Sequence, residues 1–297
     1  MYRLLWLCFV AVLPYICAEC DLLSLSGGGS FGSVEAGMLD GLITSGSIPS
    51  HFQVITGISA GGLNAGFLHH FDNVSDALSP LKELYTNTKT HDIYESDLVG
   101  IFSRWSIYDN SPLEKTLTAV LGNTTQSLHP PIVLIGASNL LTEELDVFSF
   151  GSLSFEDKIN VLMSTTAIPF VFPPRSFQNT LYIDGGVISN ELITQAIGEV
   201  QCSFYNITFM NARPKYKATA TIDGFMSYAS AVVRMILNTF DYELAQTTSC
   251  TFPKGQINAC FPTSNELNQY SMLDFDHGGE LYELGRLHHE CITYPLC

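Results

Sequence analysis

Apolar residues in this chain fall in short continuous runs, separated by glycine-rich turns and by longer stretches with helical spacing. Leu22-Leu23-Ser24-Leu25-Ser26, Phe52 to Thr56, Ile132 to Ala137 and Ser203 to Met210 read as strands. Ile132–Ala137 is apolar without alternation, as a strand buried on both faces of a parallel sheet must be. Helical spacing covers Ser33 to about Leu42, the stretch from Gly61 through His69, about 76 to 121, and Asn190 as a cap through to Val200. Within the third of these, Ser111-Pro112-Leu113-Glu114 predicts a capping box with proline at the first helical position. Ile222 to Leu244 predicts a further long, apolar-rich helix. Strands alternating with helices give an α/β fold on a mainly parallel sheet. One domain is expected over 19–249, followed by a loop-rich, cross-linked Cys-rich tail over 250–297 packed on it.

Composition narrows the class. The chain has 297 residues, of which 46% are apolar and 14% charged, so it has a core to bury and is not disordered. Thirteen Lys and Arg against 29 Asp and Glu leave a formal charge of −16. That balance speaks against nucleic acid and against a polybasic anchor on anionic lipid. Arg3, the apolar run Leu4 to Leu13 and Ala18 before Glu19 form the pattern of a secretory signal peptide over 1–18, the alternative being an uncleaved anchor. The expected location is therefore outside the cell or in the lumen of the secretory pathway. Removing the leader takes two of the eight cysteines and leaves Cys20, Cys202, Cys250, Cys260, Cys291 and Cys297, an even set suited to disulfides. Cys20 and Cys202 each stand just before a strand of the expected parallel sheet, so they are expected to pair at its N-terminal edge, with the other four pairing among themselves. Sequons occur at Asn73, Asn123 and Asn206, the last inside a strand-like run.

Three short motifs carry chemistry. Gly57-x-Ser59-x-Gly61 between a strand and a helix is the nucleophile-elbow pattern, which lifts a serine onto a helix N-terminus. Gly27-Gly28-Gly29 after the first strand leaves backbone N–H groups bare, suited to holding an oxyanion. Gly27-x-Gly29-x-x-Gly32 also fits a dinucleotide fingerprint, but no acid stands near Thr56-Gly57 to hold a ribose, and Ser33 stands where a Walker loop needs lysine. No cofactor is expected. Asp184 before Gly185-Gly186 is an uncrowded carboxylate at a strand end, better placed as a base than any of the eight histidines. A Ser-His-Asp esterase would need His277 or His288 instead. Asp274-x-Asp276-x-Gly278 suggests calcium only superficially, since Gly285 stands where an EF-hand needs glutamate.

Taken together, SGGGSFG (26–32), Gly37-x-Leu39, TGISAGGLNAG (56–66), STTAIPFVFPP (164–174) and YIDGGVISN (182–190) resemble the patatin-like phospholipase family. The resemblance runs in order from Leu22 to about Phe209. It implies a three-layer α/β/α fold, Ser59 as nucleophile, Asp184 as base and Gly27, Gly28 and Gly29 as oxyanion hole. It further implies a lipid or membrane-surface substrate, with fatty-acyl esters of phospholipids or related glycerolipids cleaved. The chain departs from the family at Ser26, at Phe31 in place of a cation, and at Leu192 in place of proline. Without that cation, phosphate recognition at position 31 is unsupported. An apolar mouth is expected, with Phe31, Ile168, Phe170, Val171 and Phe172 as its candidate residues. A secreted lipid-binding or storage glycoprotein with vestigial activity is the competing reading.

Overall fold

The computed structural model describes residues 19–96, 101–124, 127–213 and 254–296. The leader, the helix expected over 222–244, and Cys250 and Cys297 lie outside the described residues. In chain order the elements are β1 (Cys20–Leu25), α1 (Gly32–Thr44), β2 (Val54–Ile58), α2 (Ala60–Leu68), α3 (Val74–Asn87), β3 (Glu95–Ser96), α4 (Ile101–Arg104), β4 (Tyr108–Asp109), α5 (Ser111–Asn123), β5 (Ile132–Asn139), β6 (Glu144–Ser149), α6 (Phe155–Thr165), β7 (Arg175–Phe177), β8 (Thr180–Asp184), α7 (Ile193–Glu199), β9 (Tyr205–Met210), β10 (Gly255–Pro262), α8 (Gly278–Leu287) and β11 (His289–Leu296).

The main sheet runs β11-β10-β9-β1-β2-β5-β8-β7, with β6 also on β5. Its centre, from β10 to β5, is parallel, and the strands added at either end are antiparallel. Side-chain alternation splits the core in two. Leu23, Leu25, Ile55, Val133 and Ile135 face the layer of α1, α2, α3, α5 and α6. Leu22, Val54, Leu134, Ile207 and Phe209 face the opposite layer, where α7 contributes Ile193 and Ala196. Burial on both faces is why these strands read as continuous apolar runs, and the result is the α/β/α arrangement. Among the described residues no helix is long and apolar enough to cross a membrane.

Three sequence expectations need correction. The stretch 76–121 is not one helix: α3 ends at Asn87 and α5 starts at Ser111, with short irregular elements between. The α5 start is also one residue out. Asn110 holds the cap position, and Glu114 closes no box, because both its carboxylate oxygens receive the Arg175 guanidinium. The tail is not loop-rich, since β10 and β11 complete the sheet and α8 packs along α1.

Cys20 and Cys202 are bonded, with Cα atoms 6.0 Å apart. Cys260 and Cys291 face each other across β10 and β11 and are bonded at 4.0 Å between Cα atoms.

Candidate active site

The register of β5 brings the site together. β2 pairs with β5 up to Ile58 opposite Gly136, and β8 takes over on the same edge with Asp184 opposite Ala137. The residue that follows β2 is Ser59, so the serine leaves the ladder at the level where Asp184 joins it. Ser59 Oγ donates a 2.6 Å hydrogen bond to Asp184 Oδ2.

Ser59 sits at φ 53° and ψ −124°, a conformation a non-glycine residue rarely adopts and one that costs on the order of 1–3 kcal/mol. The surroundings hold it there. Its N–H donates to Thr165 Oγ1 at 2.8 Å, and that hydroxyl donates to Gly136 O at 2.6 Å. Gly61 is required by close approach, because a Cβ there would stand 2.4 Å from the Leu25 carbonyl oxygen. α2 begins at Ala60 and so directs the positive end of its backbone dipole at the serine.

Asp184 is 1% exposed. Burial raises its pKa from the ordinary carboxylate range to about 6, although the Ser59 hydroxyl, the Gly186 N–H and the Arg213 charge all pull it down. Its Oδ1 accepts the Gly186 N–H at 2.8 Å, which leaves Oδ2 aimed at the serine. Among the described residues, no histidine is hydrogen-bonded to either group. His277 instead contacts Asp274 at the start of α8.

The glycine loop lies against the elbow. Gly27 N–H, one of the three expected oxyanion donors, is committed to Asn190 Oδ1 at 2.8 Å. Asn190 therefore does not cap α7, which starts at Ile193, but pins the loop. Gly28 and Gly29 N–H have no hydrogen-bond partner among the described residues. The loop is clamped at both ends by Glu35, which is fully buried. Its Oε1 accepts Ser26 N–H at 2.7 Å. Its Oε2 accepts Asn64 Nδ2, and Asn64 also donates to Gly32 O and accepts Tyr85 OH. Desolvation pushes the Glu35 pKa well above the usual value, against these two hydrogen bonds. Sequence reasoning missed Glu35, Asn64, Thr165 and Asn190. Only a charge on the inward face of α1 could have flagged Glu35.

An apolar cavity reaches Ala60, the residue after Ser59, although neither Ser59 nor Asp184 lines it. Gly29 and Ser30 of the glycine loop and Ala60 of the elbow line one part of it, and Phe67, Leu117, Val120 and Leu121 line it farther along α2 and α5. The expected apolar mouth residues do not line this cavity. Phe31 packs with Val34 and Leu281, while Ile168, Val171 and Phe172 form a separate cluster; Phe170 is 77% exposed. The three sequons differ in setting. Asn73 caps α3, Asn123 is exposed at the end of α5, and the Asn206 amide is tied to Asp21 inside the sheet. No group of three His, Cys, Asp or Glu that could hold a metal occurs among the described residues.

Comparison with known proteins agrees with this architecture. The model of the patatin-like phospholipase family matches residues 23–197, more than half of the chain. The chain belongs to that family. It is 29% identical over 186 residues to a probable lipid hydrolase of Invertebrate iridescent virus 6, covering 59% of this chain and 62% of the relative. It is 25% identical over 195 residues to an uncharacterized protein of Acanthamoeba polyphaga mimivirus, covering 64% and 65%. The chain thus spans somewhat under two thirds of the length of either relative. Among solved structures, VipD from Legionella pneumophila aligns over 92% of this chain and 68% of its own, at 16% identity and a TM-score of 0.40.

Proposed function

We propose that this protein is a secreted lipid acyl hydrolase that cleaves fatty-acyl esters of phospholipids or related glycerolipids through Ser59 and Asp184. The observation that carries the reading is the 2.6 Å hydrogen bond from a strained, elbow-mounted serine to a buried carboxylate. Asp184 takes the proton as Ser59 Oγ attacks the ester carbonyl. The N–H groups of Gly28 and Gly29 hold the oxyanion, and Gly27 serves by fixing their position through Asn190. Asp184 then returns the proton to the leaving alcohol, and water, activated by the same carboxylate, releases the fatty acid. Desolvation suits Asp184 to this, since a base titrating near 6 accepts protons far better than one near 4. The leader-like first eighteen residues and the two disulfides support secretion. The exposed position of Asn123 supports glycan attachment there, Asn73 is half-buried as the α3 cap, and the tied amide of Asn206 speaks against attachment at that site.

Mass spectrometry of products from a mixed lipid panel tests the reading. Ser59→Ala and Asp184→Asn are each expected to lower turnover by roughly three powers of ten, and the double variant to be little worse than either. Near-normal turnover by folded Asp184→Asn would exclude it as the base.

A further inference from the structure

The cavity that reaches Ala60 is not enclosed by the family domain alone. A segment outside residues 23–197, Ser271–Gly278, lies across it as a strap. The strap holds the glycine loop on one side: Ser30 N–H donates to Met272 O at 2.8 Å, and Ser30 Oγ donates to Ser271 O at 2.9 Å. Gly29 is left-handed at φ 59°, and a Cβ on it would stand 2.2 Å from Met272 O, so loop and strap are fitted to each other. On its other side the strap is tied to the turn after α3. Thr90 N–H donates to Asp276 Oδ1 at 3.1 Å, Phe275 N–H donates to Thr90 Oγ1 at 3.2 Å, and Tyr94 OH donates to Leu273 O at 2.8 Å. Phe275, held between these anchors, forms part of the cavity wall.

The wall itself indicates the ligand. Its polar side chains are Ser30, Asn64, Tyr85, Thr88 and Thr116. Every one is bonded to protein: Ser30 to Ser271 O, Tyr85 to Asn64, Thr88 to Leu84 O and Thr116 to Asp92 O. A polar head group entering this space would lose its water and meet no side-chain donor that is not already committed, whereas a hydrocarbon chain loses nothing. The lining of α5 by Leu113, Thr116, Leu117, Val120 and Leu121 follows one helix face for about 12 Å, at 1.5 Å per residue. A groove of that length, with Ala60 of the elbow and Gly29 of the glycine loop in its wall, suits an extended acyl chain.

We propose that Ser271–Gly278 is a selectivity strap, and that Phe275 sets which acyl chains the cavity accepts. The inference rests on the acyl-hydrolase reading above. Phe275→Ala widens the groove, and Phe275→Trp narrows it. The test is kcat/KM on 4-nitrophenyl esters from acetyl to palmitoyl, for the wild type, both variants and Ser59→Ala, with melting temperatures to confirm folding. Phe275→Trp is expected to move the optimum to shorter chains and Phe275→Ala to longer ones, with the palmitoyl-to-butyryl ratio changing at least threefold in opposite directions. A uniform loss across all chain lengths, or no change, overturns the proposal. If no ester shows Ser59-dependent turnover, the hydrolase reading fails by itself. Binding of a fluorescent long-chain fatty acid then decides the strap: weaker binding to Phe275→Trp supports it, and equal binding overturns it.

Discussion

At Asp184 a single carboxylate sets the acid limit of the proposed chemistry. The base must be ionised to take the serine proton, and burial places its titration near 6. The expected outcome is a kcat/KM that falls on acidification with a midpoint at about pH 6, and an acid limb that does not track any histidine. A pH series on a soluble ester, repeated with His277→Ala and His288→Ala, checks this; a limb displaced by either substitution would return the triad esterase to consideration. Glu35 makes a different kind of contribution, because it touches no reacting atom. Glu35→Gln keeps an acceptor for Ser26 N–H but turns an amide NH₂ toward that of Asn64. Turnover is expected to fall roughly tenfold or more, the order of a weakened oxyanion donor, with KM little changed. An equal change in kcat and melting behaviour for Glu35→Ala and Glu35→Gln would mean that only bulk is needed there.

Among the elements, what could be read in advance depended on how local the signal was. β1, β2, β5 and β9 carry their own apolar runs, and the elbow and glycine loop carry their own spacing, so both were legible. β6, β10 and β11 alternate or mix polar residues because one face or one edge meets solvent, and no run marks them. Asn190 looked like a cap because local pattern cannot show that Gly27, 163 residues away in sequence, claims its amide oxygen. The pairing of α2 with α6 hides another feature of this kind. His69 and His70 end α2 beside Lys158 of α6, and burial together with that lysine lowers both imidazole pKa values, His69 to about 4. Both bind protons less tightly in the fold than in the unfolded chain, where the value is near 6.5. Their stabilising contribution is therefore present above about 6.5 and is lost as pH falls toward 4. Asp184 and Glu35 oppose this, since their raised pKa values favour the fold in acid. The melting temperature of His69→Phe is accordingly expected to fall less than that of the wild type between pH 7 and pH 5; parallel curves would show that His69 does not couple to folding.

For the molecule as a whole, the Cys20–Cys202 bridge joins the start of β1 to the segment before β9, at the sheet edge away from Ser59. It closes a loop with a sequence separation of 182. In the chain-entropy model such a bridge contributes about 5 kcal/mol. Replacing both cysteines by serine is expected to lower the melting temperature by roughly 10 °C or more while leaving turnover of the folded protein unchanged. A loss of turnover without loss of folding would show that the two edges of the sheet are coupled.

The strand order also governs when a working site can exist. Ser59 leaves the ribosome early, but its aspartate is 125 residues behind it, and the carbonyl that seats Ser30 is a further stretch behind that, at Met272. β1 must wait for β9, and β9 for β10, before either has both neighbours. A partly made chain therefore carries Ser59 without the carboxylate that accepts its hydrogen bond, a glycine loop with no seat and a groove with no roof. Assembly of the complete arrangement is thus deferred until nearly all of the chain has been made.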